Sequence, residues 1–254
     1  MKKIISLFFV IFFSVSLFSQ SVYLQKYYAG LVILPSNELL SIAKAQALYF
    51  RTFDGVAPAI CDSGYVLFED FIIDAIDNID FDLPAKAHDE AYINKLKLAG
   101  LKIVENKNFV TVMPDMDYFF YGFYSYLSPF MKQYMERVNT ENRNGFISGD
   151  SLIISRRELV SRLIFWDDFY TSSLQQRFVL TDEVLSRRSR YLEALIFGEP
   201  NSPVYNADGT VRQDVRDALK KASRGSLKQI IDGYLQILES CNFTKCDKAV
   251  FYTW

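Results

Sequence analysis

Ser155-Arg156-Arg157-Glu158-Leu159-Val160-Ser161-Arg162-Leu163-Ile164 is the stretch that decides the class of fold. A serine followed three residues later by a glutamate is a capping box, which satisfies the backbone N–H groups left over at a helix start. Leu159, Val160, Leu163 and Ile164 then recur with the period of a helix that buries one face. The same punctuation returns downstream. Thr181 caps a helix whose first turn carries Asp182 and Glu183, acids suited to the positive end of the helix dipole, and Gly198 stops it. Thr210 with Gln213, and Ser226 with Gln229 after a stop at Gly225, repeat the box. Signals of different kinds agree here, and they predict a mainly α fold, a compact helical array with one or two small β-hairpins.

The N-terminal half reads the same way with one interruption. A helix is expected over 35–53, capped by Ser36 or Asn37 and ended by Gly55 and Pro58; Leu39, Leu40, Ile42, Leu48 and Phe50 are its apolar side chains. A second runs from Tyr65 to Asp80 with Phe68, Phe71, Ile72, Ala75, Ile76 and Ile79 on one face, and a third starts near Pro84 and ends near Gly100. Residues 101–113 alternate as two short strands around a polar turn, closed by Pro114. A long aromatic helix follows from about Met116 to Val138, which Ser128-Pro129 kinks or splits. The clearest loop is 199–209, a candidate subdomain break within a single domain spanning 20–254.

The first nineteen residues read as a cleaved signal peptide. Lys2 and Lys3 form a positive start, Ile4–Phe13 an apolar run, and Ser14, Ser16 and Ser19 are small residues suited to cleavage. A bilayer span needs roughly 20 apolar residues; this run is shorter and no basic cluster follows it. Export to the periplasm or beyond, in a bacterial style, with no stable membrane span after cleavage, is the expectation. Three cysteines, Cys61, Cys241 and Cys246, then face an oxidising compartment. Three single-bridge pairings are open, of which Cys241–Cys246 would staple the tail. Half the chain is hydrophobic, enough for a proper core. A net charge of −2 lacks the basic footprint of a nucleic-acid binder.

Several motifs bear on chemistry. Gly149-Asp150-Ser151-Leu152 resembles the signature of the GDSL esterases, in which the serine is the nucleophile. That family pairs it with a downstream histidine and an aspartate three residues before it. The single histidine here, His88, lies upstream on a helix beside Asp89 and Glu90, and Ala85 stands three residues before it. A serine without a general base is a weak nucleophile, so the tetrapeptide reads as a turn between two short apolar runs. Two stretches faintly resemble EF-hand loops, around Asn142, Asn144 and Gly145 and around Asn206–Gly209. Thr140, Ser151, Val204 and Val215 occupy positions where a hard cation wants carboxylates, so both read as polar turns. No metal site, P-loop or dinucleotide fingerprint appears, and no cofactor is expected.

The sharper feature is acidic. Eight carboxylates and no basic residue lie between Arg51 and Lys86, and Asp70, Asp74 and Asp77 share one helical stripe. Like charges one turn apart cost a helix a few tenths of a kcal/mol per pair, so compensation is expected from Arg187, Arg188 and Arg190 or from Arg156 and Arg157. The alternatives are a simple solvated face, or a surface for a cation or a basic partner. The run Tyr118–Tyr121, continuing to Tyr126, is too aromatic for one buried face, so the helix is either central, with its rings forming a large core, or lines a groove in which Asp115 and Asp117 with Tyr118 and Tyr121 are candidates for holding a sugar. Val250, Tyr252 and Trp254 alternate as a short extended tail. Two functional readings follow. One is a non-enzymatic exported protein that binds a protein or a small ligand of the cell envelope. The other is a carboxylate-dependent enzyme acting on an envelope glycan, which needs two acids converging in one cleft.

Overall fold

Pro58, expected to end a helix, begins one. The computed structural model describes residues 22–79, 81, 83–105 and 110–253; the signal-peptide reading of 1–19, the polar turn at 106–109 and Trp254 lie outside these residues. The chain divides into two units, the first ending at Asn139 and the second beginning at Thr140. The loop 199–209 lies inside the second.

In the first unit a helix over 22–32 (α1) precedes α2 (Leu39–Phe53) and α3 (Pro58–Asn78). Proline has no N–H to lose at the first helical position and its φ is already helical, which is why Pro58 opens α3 seven residues earlier than apolar periodicity alone suggests. Glu38, with no side-chain cap bond, precedes α2 in place of the expected Ser36 or Asn37 cap. Two pieces, α4 (Leu83–Lys86) and α5 (Glu90–Leu98), replace the single third helix. The break falls at 87–89 because the Asp89 carboxylate accepts the Tyr92 N–H and caps α5. His88 is therefore an exposed turn residue, not a helical one.

The interruption at 101–113 is an antiparallel hairpin, β1 (Leu101–Glu105) with β2 (Val110–Pro114), in the register Leu101↔Pro114 and Ile103↔Val112. The aromatic helix is split into α6 (Met116–Phe123) and α7 (Pro129–Arg143). The split is fixed by Ser128, whose hydroxyl accepts the Met131 N–H at 3.1 Å, while its own N–H and O–H both go to the buried Asp62 carboxylate at 2.9 and 2.5 Å. Aromatic rings form the core of this unit. Phe123 packs against Tyr49, Phe50, Tyr65 and Phe68 with centroids 4.6–5.2 Å apart, mostly tilted or edge-on, as ring quadrupoles prefer. Gly64 lets α3 approach α2 closely; a Cβ there would stand 2.4 Å from the Phe53 ring.

The second unit holds α8 (Arg156–Gln176), α9 (Thr181–Ile196), α10 (Gln213–Ala222), a 3-10 turn at Gly225–Leu227, α11 (Lys228–Ser240) and α12 (Asp247–Val250). Two small hairpins join them, β3 (Ile147–Ser148) with β4 (Ser151–Leu152), and β5 (Gly198–Glu199) with β6 (Ser202–Pro203). The fold is mainly α with small antiparallel hairpins. Leu159, Leu163, Trp166, Leu192, Leu195, Leu219 and Leu238 are fully buried. Ser155 caps α8 as expected, accepting the Glu158 N–H, and Gly198 takes the left-handed φ of +77° that the chain needs after α9. The other proposed caps do other work. Thr181 is the first helical residue and donates to Phe178 O; Thr210 bonds Asp208; Ser226 donates to the buried Asp167. The extended tail expected from Val250 onward begins only after α12, which Val250 ends, and Tyr252 packs back on the domain to donate to Ile230 O. Among the described residues no helix is long and apolar enough to cross a membrane.

Candidate functional site

The acidic stripe of α3 meets α1 at a groove. Leu67, Asp70, Phe71 and Asp74 fall at i, i+3, i+4 and i+7, so geometry places them on one side of α3. Opposite them stand Tyr28, Leu31 and Val32 of α1, with Leu34 and Ser36 closing one end, and the space enclosed is about 270 Å³. α1 is apolar on two faces. Tyr27 and Leu31 are buried; the Tyr27 ring packs edge-on against Tyr49 and Phe53, and its hydroxyl donates to Ala45 O. Tyr28 and Val32, on the other side, remain 58 % and 65 % exposed, and Ile33 beside them is exposed too. Single exposed apolar residues are ordinary, but a contiguous set lining a concavity is the mark of a binding surface.

The groove is one-sided in charge. Its walls carry the two carboxylates of Asp70 and Asp74 and no basic side chain. Among the described residues neither carboxylate has an ion-pair partner, nor does Asp77 one turn further on. The expected compensation by arginine is therefore corrected. Arg188 pairs with buried Asp167 at 2.7 Å, Arg190 with Glu199 at 3.5 Å, and Arg156 donates to the carbonyls of Ala194 and Ser202. These guanidiniums are answered inside the second unit, where the buried Asp167 carboxylate would be left uncompensated if Arg188 turned away.

The remaining candidates gather on α6. Asp115 caps that helix, accepting the Asp117 N–H, and its carboxylate lies 3.8 Å from Lys102 Nζ. Asp117 lies 3.5 Å from the Asn139 side-chain amide. Tyr118 and Tyr121 are exposed, while Phe119, Phe120 and Phe123 turn inward, so the aromatic run splits its phenylalanines to the core and its tyrosines to the surface. The acids on α6 thus anchor the helix start, and neither they nor the two tyrosines line the α1–α3 groove. Comparison of the chain with protein-family models, curated proteins and solved structures gives no match.

Burial pushes up the Asp62 carboxyl, and the Ser128 bonds and Lys132 oppose that rise. It is 4 % exposed, holds the start of α7, and does not line the α1–α3 groove. Ser151 sits in the β3–β4 hairpin, with Gly149 supplying the left-handed turn, as a turn reading of that tetrapeptide requires. Asp208 caps its own turn through Thr210, and no cluster of three metal-ligating side chains occurs among the described residues. Cys241 and Cys246 are bridged, and Cys61 is a buried free thiol, pushed up to about 11 by burial. Tyr28, Val32, Leu67 and Phe71 were not legible as site residues. The signal that marks Tyr28 and Val32 is a second apolar face on α1; Leu67 and Phe71 join them only because α3 packs beside it.

Proposed function

We propose that this chain is an exported, non-enzymatic binding protein of the cell envelope whose α1–α3 groove captures a basic, partly apolar polypeptide segment. Export rests on the N-terminal pattern of Lys2, Lys3 and the apolar run after them. The observation that carries the binding reading is Asp70 and Asp74, unpaired beside the exposed Tyr28 and Val32. Two like charges at i, i+4 weaken α3 when nothing answers them. A cationic side chain laid between them removes that repulsion, and apolar neighbours on the same segment cover the walls. Charge of one sign also steers an oppositely charged partner and discriminates against acidic ones.

A fluorescein-labelled peptide alternating lysine and leucine pairs, with a glutamate-for-lysine counterpart, tests this by anisotropy on the full chain. The lysine peptide is expected to bind, more weakly as salt rises, and Asp70→Asn with Asp74→Asn is expected to weaken it about ten-fold. The same pair of substitutions is expected to leave urea stability equal or higher by about 0.2–0.5 kcal/mol, because a repulsive pair is removed. Equal binding of both peptides, or an unchanged affinity in the double variant, would sink the proposal.

A further inference from the structure

A second concavity lies in the second unit, about 510 Å³ in volume, between the end of α9, the β5–β6 hairpin and the C-terminal segment. Its walls are mostly apolar and aromatic: Phe197, Pro200, Tyr205, Tyr234 and Val250 all line it. That size and lining suit a small organic molecule. Two charged residues line it, Glu199 and Lys245. Glu199 is answered by Arg190 at 3.5 Å and its side chain is only 12 % exposed. Lys245 is exposed, and its ammonium has no ion-pair partner among the described residues. The Tyr205 hydroxyl is buried in the wall beside the Tyr234 phenol.

The position of Lys245 is built. It sits inside the loop closed by the Cys241–Cys246 bridge. Its backbone N–H donates to Gly209 O at 2.8 Å, and Val211 N donates to Phe243 O at 2.8 Å, so the bridged loop is docked on residues 209–211. The Arg216 guanidinium stacks on the Phe243 ring at 3.6 Å from its centroid and holds the loop from the other side. A lysine on a free tail would lose much conformational freedom on binding; one on a loop fixed in this way has already lost part of it.

We infer that this groove binds an amphipathic anion, a carboxylate or phosphate on an apolar body, with Lys245 as its charge partner and the disulfide loop as the device that places that lysine. This site is separate from the α1–α3 groove and does not depend on it.

Calorimetric titration of the full oxidised chain with dodecanoate and with dodecyltrimethylammonium, both below their micelle concentrations, tests the inference. The two probes share an apolar body and differ in the sign of the head. Dodecanoate is expected to bind about ten-fold more tightly, the scale of one charge-assisted contact. Lys245→Gln is expected to abolish the difference with an unchanged circular dichroism spectrum, and Lys245→Arg to keep it. Reduction of the bridge is expected to weaken dodecanoate several-fold. Absence of binding, equal affinity for the two probes, or a preference that survives in Lys245→Gln overturns the site. Undiminished binding after reduction overturns the role of the bridge.

Discussion

Glu141 is 5 % exposed and accepts from two buried donors, the Trp166 indole N–H at 2.9 Å and the Tyr191 hydroxyl at 2.8 Å. Burial, and then the neighbouring carboxylate, push the Tyr191 phenol up to about 12. Glu141→Ala strands both donors, and a buried donor without an acceptor costs about 1–3 kcal/mol. The expected loss is about 3 kcal/mol or more, read from urea unfolding followed by Trp166 fluorescence, with Glu141→Gln losing clearly less because an acceptor oxygen survives. Asp62 gives a pH signature of known sign. Its folded pKa is raised, chiefly by burial, so the folded state holds the proton more tightly than the unfolded chain. Its contribution is therefore fully present below the unfolded value of about 3.9 and is lost as pH rises through the folded value. Asp62→Asn removes this dependence while leaving an acceptor for Ser128. The destabilisation it causes is expected to be larger at pH 4 than at pH 7, and equal losses at the two pH values would exclude this assignment.

At the scale of the element, capping separates what a sequence announces from what it only permits. Ser155 is followed by an apolar helix face, and its side chain caps α8. Ser155→Ala is expected to cost about 1 kcal/mol, measured as a shift in urea midpoint at constant slope. Thr210→Ala acts through the Asp208 turn instead and is expected to leave α10 helicity unchanged in circular dichroism, since α10 is preceded by Arg212, which makes no side-chain cap bond, and not by Thr210. Ser226 has the same local pattern as Ser155, yet its hydroxyl goes to Asp167, a buried carboxylate already paired with Arg188. A hydroxyl makes the stronger bond to a buried charge, and no window of a few residues around Ser226 contains Asp167. Pro58 and Pro129 are the converse case. Each reads as a breaker in isolation, and each opens a helix because the preceding turn presents it at the first helical position.

For the molecule as a whole, the bridge between Cys241 and Cys246 closes a short loop that docks on residues 209–211. Loop-closure entropy for so few residues is about 2 kcal/mol. Cys241→Ser with Cys246→Ser is expected to lower unfolding free energy by about that amount in oxidising buffer, and to leave reducing buffer without effect on the variant. The helical class, the hairpin at 101–114, the break at Ser128-Pro129 and the acidic stripe of α3 were determined by the sequence alone, because each rests on periodicity or on a residue's own backbone preference. The tertiary structure alone decided three things: that the arginines of α8 and α9 turn to partners in their own unit, that Asp70 and Asp74 face α1 across a groove, and that Lys245 is placed at a second one. Each depends on which distant groups compete for the same charge or the same apolar wall, and that competition is settled only when the chain has folded around it.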